Sequence, residues 1–95
     1  MGKRTEPRRE RVARVGIFWA TRRGTTRRES SFMEDISSSG IALRSRLQFP
    51  VGFPLLIEMQ DQVLKGTVCN CCRDGLDYRT GVKFAVPLPG LDGPE

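Results

Sequence analysis

The sequence predicts an all-β domain that folds as a six-stranded antiparallel β-barrel. Short segments rich in valine, isoleucine and phenylalanine recur between glycine and proline turns about 8–12 residues apart, a spacing typical of small barrels and sandwiches. No segment sustains a helical repeat of apolar residues. The chain has 95 residues, of which 38% are hydrophobic, enough for one small core. A closed barrel is favoured over a sandwich because closure removes the strand edges that so small a sheet would expose.

Six segments carry the strand signal. We predict strands over residues 12–20, 30–36, 41–43, 54–59, 63–73 and 76–86. Four polar or glycine-containing segments between them predict a loop, a bend and two turns, over residues 21–28, 37–40, 49–52 and 60–62. The pair Asp74-Gly75 is a strong signal for a two-residue hairpin loop that joins the last two strands.

These elements divide the chain into three parts. An arginine-rich N-terminal arm covers residues 1–11, the barrel covers residues 12–86, and a tail rich in proline and glycine covers residues 87–95. We expect the arm to be flexible because it is too polar to fold alone. We expect the tail to be disordered because it cannot hold regular structure. On this division the protein is a single domain without an attached output domain.

The charge is distributed unevenly along the chain. Residues 1–28 carry ten basic residues against two acidic ones, a net charge of +8, and nine of the ten are arginine. Residues 29–95 carry six basic residues against nine acidic ones, a net charge of −3, which gives +5 for the whole chain. Arginine binds phosphate with a planar fork and also stacks on rings. The distribution indicates an anionic partner with planar rings, although a solvated, solubilising segment explains the charge alone equally well.

The sequence contains no recognisable set of catalytic residues. The chain has no histidine, which excludes Ser-His-Asp and Cys-His catalysis. The adjacent carboxylates Glu34 and Asp35 lie on a predicted strand, where neighbours face opposite sides and cannot act as a pair. The serine run 37–39 lacks a GxSxG context, and neither a Walker loop nor a GxGxxG sequence is present. We therefore expect a protein that is not an enzyme and holds no cofactor.

The three cysteines, Cys69, Cys71 and Cys72, lie within four residues of one another. Cys69 and Cys72 have a CxxC spacing, but a structural zinc site needs about four ligands, and no second CxxC or histidine completes one. On a regular strand Val68, Asn70 and Cys72 share one face and the other two cysteines share the opposite one. We expect mostly buried, inert thiols. Since the set is odd and the N-terminus lacks an apolar signal region, we expect a cytoplasmic protein.

Membrane insertion is not expected, because the longest apolar runs, over residues 15–20 and 54–57, fall far short of the about 18 residues that a spanning helix needs.

Two short motifs stand out. Arg4 and Arg8 form an RxxxR just before the first predicted strand, and Asp35, Ser37 and Gly40 form a DxSxxG at the end of the second. Each pattern alone is weak, since residues 23–27 also satisfy RxxxR. The second motif can also be explained without a ligand, as a plain turn in which Asp35 and Ser37 bind local backbone N–H groups and Gly40 supplies a positive φ.

The order of the two motifs, with a proline before the second arginine and a strand between them, resembles the PilZ domain family. These domains are small six-stranded β-barrels of the split-barrel type that bind the bacterial second messenger cyclic di-GMP. The resemblance covers nearly the whole chain. Further segments similar to the family pattern are Ile41-Ala42-Leu43, Phe49-Pro50-Val51-Gly52, Gly66-Thr67-Val68 and Gly81-Val82-Lys83-Phe84.

The resemblance implies a binding site that both motifs supply. Arg4 and Arg8 are expected to contact phosphate and guanine, which suits guanidinium chemistry. Asp35 is expected to accept from a guanine edge or to hold an arginine, Ser37 to reach a base or a phosphate, and Gly40 to let the backbone turn under the ligand. Arg9 is an auxiliary candidate beside Arg8. The expected signal is closure of the arm, which alters contacts with a downstream protein partner.

Two alternatives belong to other functional classes. One is a PilZ-like adaptor without a nucleotide ligand that acts by protein contact, although such an adaptor has no physical need for both motifs. The other is a small barrel that binds nucleic acid through Arg22, Arg23, Arg27 and Arg28. That interpretation is disfavoured because the few aromatic residues are mostly needed for the core. The sequence leaves the partner and the ligand stoichiometry open, and a homodimer is one possible oligomeric state.

Overall fold

Six β-strands form the domain, as predicted. The computed structural model describes residues 13–60 and 62–87. Its strands are β1 (Ala13–Ala20), β2 (Thr26–Ile36), β3 (Gly40–Ser45), β4 (Pro54–Met59), β5 (Gln62–Asp74) and β6 (Asp77–Phe84). Within these residues there is no helix, and so none that could cross a membrane. The predicted arm and the end of the predicted tail lie outside the described residues.

The strands close into an antiparallel barrel in the order β1-β2-β3-β6-β5-β4. Four hairpins join neighbours along the chain, and β4 returns to pair with β1 through Gly16, Ile17 and Phe18. Each strand is therefore hydrogen-bonded on both sides, which is the property for which the sequence analysis favoured a barrel. The predicted fold class is confirmed.

The core fills the barrel with alternate residues of the strands. Ile17 and Ile57 pair directly across the closing seam and are fully buried. At one end of the core, Phe49 packs edge-on against Trp19 with ring centroids 5.3 Å apart, and stacks on Phe53 at 5.7 Å. The twelve buried hydrophobic residues are Val15, Ile17, Met33, Ile36, Ile41, Leu43, Phe49, Leu55, Ile57, Val68, Val82 and Phe84.

The loop predicted over residues 21–28 is too long. Strand β2 begins at Thr26, so Arg27 and Arg28 pair with β1 as strand residues. A tight turn makes this possible: the amide of Thr21 donates to the carbonyl of Thr25 at 2.8 Å, and Gly24 has a φ of 85°. Cross-strand pairing thus overrides the polar composition that suggested a loop.

The last hairpin turns one residue later than predicted. Asp74 pairs with Asp77, so that the two-residue loop is Gly75-Leu76 rather than Asp74-Gly75. Gly75 has a φ of 68° at the first loop position, where a type II′ turn requires glycine. Gly75 correctly indicated the hairpin loop, and its position in the turn fixes the register of β5 and β6.

A bulge in β5 overturns the predicted faces of the cysteines. The register between β5 and β6 shifts between Val68 and Asn70, so strict alternation ends there. As a result Val68 is buried, Cys71 packs against the core, and Cys69 and Cys72 are exposed. The expectation of mostly buried thiols is therefore wrong for two of the three. Among the described residues, no group of three or more potential ligands could hold a metal ion.

A network of ion pairs ties four strands together on the outer surface. Glu34 on β2 accepts hydrogen bonds from Arg44 on β3 and from Arg79 on β6, the second at 3.0 Å. Arg44 also donates to Asp74 of β5 at 2.7 Å. The hydrogen bond from Arg44 lowers the pKa of Glu34 most, partial burial opposes this shift, and the bond from Arg79 adds to it. Bonds to Glu34 and Asp74 raise the pKa of the Arg44 guanidinium, which keeps its charge.

We expect Glu34→Gln to lower the free energy of unfolding by up to about 1 kcal/mol, because the lost ion pairs are only partly shielded from water. The folded pKa of Glu34 is lowered, so its contribution is present above the unfolded pKa and disappears as the pH falls through the folded one. The difference between the wild type and Glu34→Gln should be full at about pH 7 and should shrink as the pH falls below the unfolded pKa and through the lowered folded one.

Urea unfolding across this pH range measures the effect. Glu29→Gln is the matched control, because Glu29 is also a half-buried glutamate of β2. An equal loss in the two variants, or a loss that persists at low pH, would contradict the assigned role.

Candidate ligand-binding site

An open depression of about 210 Å³ lies where β2 ends and β3 begins. It brings together the three predicted residues of the second motif with residues of β5 and β6. Its lining consists of Asp35, Ile36, Ser37, Gly40, Ile41, Ala42, Cys69, Gly81 and Val82.

Asp35 contributes a carboxylate to this lining. Asp35 is buried like Met33, with 7% of its surface exposed, and the register with β3 shifts between these two residues. The neighbouring carboxylate of Glu34 is engaged by the arginine network on the outer surface. The two carboxylates thus have different surroundings, as the sequence predicted.

Ser37 shapes the bend between β2 and β3. Its amide donates to the carbonyl of Gly40 at 2.9 Å, and its hydroxyl oxygen accepts from the amide of Ser39 at 3.3 Å. This is the local contact between serine and backbone that a plain turn predicted. The hydroxyl also lines the depression, so the bend holds a hydrogen-bonding group at the rim.

Gly40 does not have the positive φ that the sequence analysis expected; Gly24, Gly52 and Gly75 are the described glycines that do. It is a paired residue of β3, opposite Lys83. A Cβ placed on Gly40 would lie 2.5 Å from the carbonyl oxygen of Val82. The site requires glycine because two backbones approach closely, and this approach forms the wall of the depression.

Six of these nine lining residues were not predicted as site residues, and Cys69 and Gly81 are two of them. Cys69 lies at the β5 bulge, and its thiol is 3.4 Å from the carbonyl oxygen of Gly81. Gly81 pairs with Ala42 of β3, and this pairing places β6 beside the motif. Only the strand order β3-β6-β5 brings these residues together, and no spacing in the sequence reports it.

Among the described residues, the lining of the depression supplies no cation. The nine of them that line it include one carboxylate and no lysine or arginine. The arginines nearest along the strands, Arg44 two residues from Ala42 and Arg79 two residues from Gly81, are engaged in the network with Glu34. Lys83, which pairs with Gly40 and is exposed, lies outside this lining, so positive charge for an anionic ligand must come from Lys83 or from another part of the chain.

The predicted residues Arg4, Arg8 and Arg9 lie outside the described residues. The point where the arm joins the barrel is nevertheless defined, because Ala13 of β1 pairs with Met33, two residues before Asp35. Arg8 precedes Ala13 by five residues, and an extended segment of that length spans about 17 Å. The covalent chain thus allows Arg8 and Arg9 to reach the depression.

Comparison with known proteins identifies the family. The model of the PilZ domain matches residues 3–92, and the chain belongs to this family. PilZ domains are binding domains of the cyclic di-GMP receptor type rather than enzymes. A search of curated proteins gave no match.

We expect Gly40→Ala to lower the free energy of unfolding by about 1–3 kcal/mol, since the added methyl group meets the backbone of β6, which cannot move without disturbing the ladder. Gly81→Ala is the matched control in the same depression. Its Cβ would lie 2.8 Å from the Asn70 side-chain amide, which can rotate away. Chemical denaturation compares the two, and an equal or larger loss in Gly81→Ala would show that the close approach at Gly40 is not the constraint.

Proposed function

We propose that this PilZ domain is a receptor for cyclic di-GMP whose site has two parts. The barrel supplies Asp35, Ser37 and Gly40, and the N-terminal arm supplies Arg4, Arg8 and the auxiliary Arg9. The observation that carries the proposal is the depression itself. It unites all three residues of the second motif, its described lining contains no lysine or arginine, and the chain just before β1 is rich in arginine.

The chemistry of the ligand matches this division. Guanidinium groups of the arm would bind its phosphates through charge-assisted hydrogen bonds and take guanine O6 and N7 with a planar fork. The carboxylate of Asp35 would accept from guanine N1–H and N2–H, or orient an arginine. The hydroxyl of Ser37, which already serves the bend, would use its remaining capacity at the rim.

Binding would order the arm over the barrel. Fixing a residue of an unstructured segment costs about 1–2 kcal/mol, and each charge-assisted hydrogen bond returns about 1.5–3 kcal/mol. Several such bonds with stacking leave net affinity in the micromolar range or better. Arm closure would change the surface offered to a downstream protein, which is how the signal would leave the domain. In this proposal the protein acts in the bacterial cytoplasm.

Isothermal titration with cyclic di-GMP at physiological salt tests the proposal, with GTP and cyclic GMP as controls. We expect saturable heat with cyclic di-GMP alone, and the molar ratio distinguishes one bound ligand from a stacked pair. Flat heats at high protein concentration would reject the receptor. They would favour the adaptor without a nucleotide ligand, which is then sought by pull-down of protein partners with the arm as bait.

We expect Arg8→Ala and Asp35→Asn each to weaken cyclic di-GMP binding about 10- to 100-fold, because each removes a charged partner of the ligand. Asp35→Asn keeps the size of a buried side chain, so the barrel should remain folded. The matched controls remove the same charges elsewhere: Arg23→Ala in the β1–β2 turn and Asp77→Asn in β6.

Titration gives the affinities, and circular dichroism checks the fold of every variant. A change in the circular dichroism spectrum as large as the loss of binding would refute a direct role for these side chains. Equal losses in the control variants would show that only overall charge matters.

A further inference from the structure

A second surface, away from the depression, lies on the outside of β1, β2 and β4. We call it the arginine–phenylalanine face, and it consists of Arg14, Phe18, Arg28, Phe32 and Leu56. Phe32 and Leu56 have 42% and 39% of their surface exposed. Most of the aromatic residues serve the core as expected, with Trp19, Phe49, Phe53 and Phe84 in it or packed against it, whereas Phe18 and Phe32 lie outside it.

Two arginine–phenylalanine pairs are arranged symmetrically on this face. Arg14 pairs across the strands with Phe32, and its guanidinium carbon lies 5.4 Å from the ring centroid. Arg28 pairs with Phe18 in the same way, at 5.3 Å. Both arginines precede a phenylalanine of their own strand by four residues, in RVGIF and RESSF. Since the strands are antiparallel, the two guanidinium groups occupy diagonal corners about the pair Gly16 and Ser30.

Between the pairs lies an open depression of about 290 Å³, with Arg14, Arg28, Ser30 and Glu58 in its lining. Gly16 forms its floor, where a Cβ would lie 3.0 Å from the Arg28 guanidinium. Stacking on the rings holds the guanidinium groups in place and leaves their N–H donors for other partners. The N–H groups of Arg14 and Arg28 are therefore ordered hydrogen-bond donors in the lining of this depression.

The positive charge of this face is only partly neutralised. Arg28 donates to Glu58 at 3.4 Å, a long contact between two largely exposed groups. Within the described part of the chain, Arg14 has no ion pair and is engaged by Phe32 alone. Lys65 of β5, next to Leu56 in the sheet, adds a further cation. Among its described residues, this surface therefore carries three positive charges against the one negative charge of Glu58.

We propose that the arginine–phenylalanine face binds an extended, acidic segment of a protein partner. Two carboxylates of the segment, four residues and therefore about 13 Å apart on an extended chain, would each meet one guanidinium. Leu56 and the two phenyl rings would take apolar contacts, and arginine with phenylalanine is the composition of protein interface centres.

A protein segment fits this face better than a nucleic acid does. A phosphate backbone would leave the exposed Leu56 without an apolar partner. Val63, which pairs with Glu58 across β4 and β5, has 59% of its surface exposed and extends the apolar part of the surface. A partner that carries both carboxylates and leucine-like side chains satisfies both features. The proposal is independent of cyclic di-GMP binding at the other depression.

The test uses a fluorescein-labelled peptide of sequence Gly-Glu-Ser-Leu-Ser-Glu-Gly with capped ends, which places Glu, Leu and Glu on one face of an extended chain. Fluorescence anisotropy measures its affinity, and nitrogen–proton correlation spectra of the full chain locate it. The comparison probes are the same peptide with Gln for Glu, and a thymidine decanucleotide. We expect saturable binding of the acidic peptide below about 1 mM, with amide shifts centred on Gly16 and Ser30, and none with the Gln peptide.

Two variants give opposite expected effects. Replacing both Arg14 and Arg28 by alanine should weaken peptide binding at least about tenfold. Glu58→Gln should strengthen it about threefold, because it frees Arg28 from its internal competitor, an effect that a merely structural ion pair would not produce. The matched control replaces Arg22 and Arg23 by alanine, which removes the same charge from the exposed β1–β2 turn. Thermal unfolding verifies that all variants are folded.

Four results would overturn the proposal. They are the absence of saturable binding, equal binding of the Gln peptide, an equal loss in the Arg22 and Arg23 control, and tighter binding of the oligonucleotide at the same amides. The last result would assign the face to nucleic acid instead.

Discussion

The structure depends on the seam at which β4 pairs with β1. Only three residue pairs form it, against eight between β1 and β2. Ile17 and Ile57 fill it from the inside, fully buried, and the Arg28–Glu58 contact crosses it on the outside. Gly16 makes that crossing possible, since a Cβ there would lie 3.0 Å from the guanidinium and 3.3 Å from the carboxylate. Without the seam, β1 and β4 would both expose a row of unpaired backbone groups.

Closure of the barrel also determines where a ligand could bind. It brings β6 and β5 beside β3, so that a carboxylate, a hydroxyl and two closely packed backbones surround one depression. The same packing uses Arg44 and Arg79 to stabilise the outer surface, and the described lining of the depression includes no lysine or arginine. A rigid barrel that supplies acceptors and shape, with an arginine-rich arm that supplies charge, is a physical reason for the uneven distribution of charge along the chain.

Strand β2 links the two surfaces of the domain. Its C-terminal end carries Asp35 in the depression, and its middle carries Arg28 and Phe32 on the arginine–phenylalanine face. The eight pairs with β1 fix the register of the middle, and the register with β3 shifts after Met33. A ligand at one surface and a protein partner at the other would therefore contact the same strand. This gives the two proposed activities a common structural element without requiring any change of fold.

The sequence by itself determined the fold class, the number of strands and the residues of the DxSxxG motif, because period-two patterns and glycine turns are local signals. It misplaced features that depend on partners across the sheet. The bulge that exposes Cys72 and the close approach at Gly40 arise where two strands meet, so no local pattern reports them. The diagonal arrangement of Arg14 and Arg28 likewise exists only once β1 and β2 pair in one register. Tertiary structure decided these points because they are distances between residues far apart in the chain, and the sequence specifies such distances only through the closed barrel.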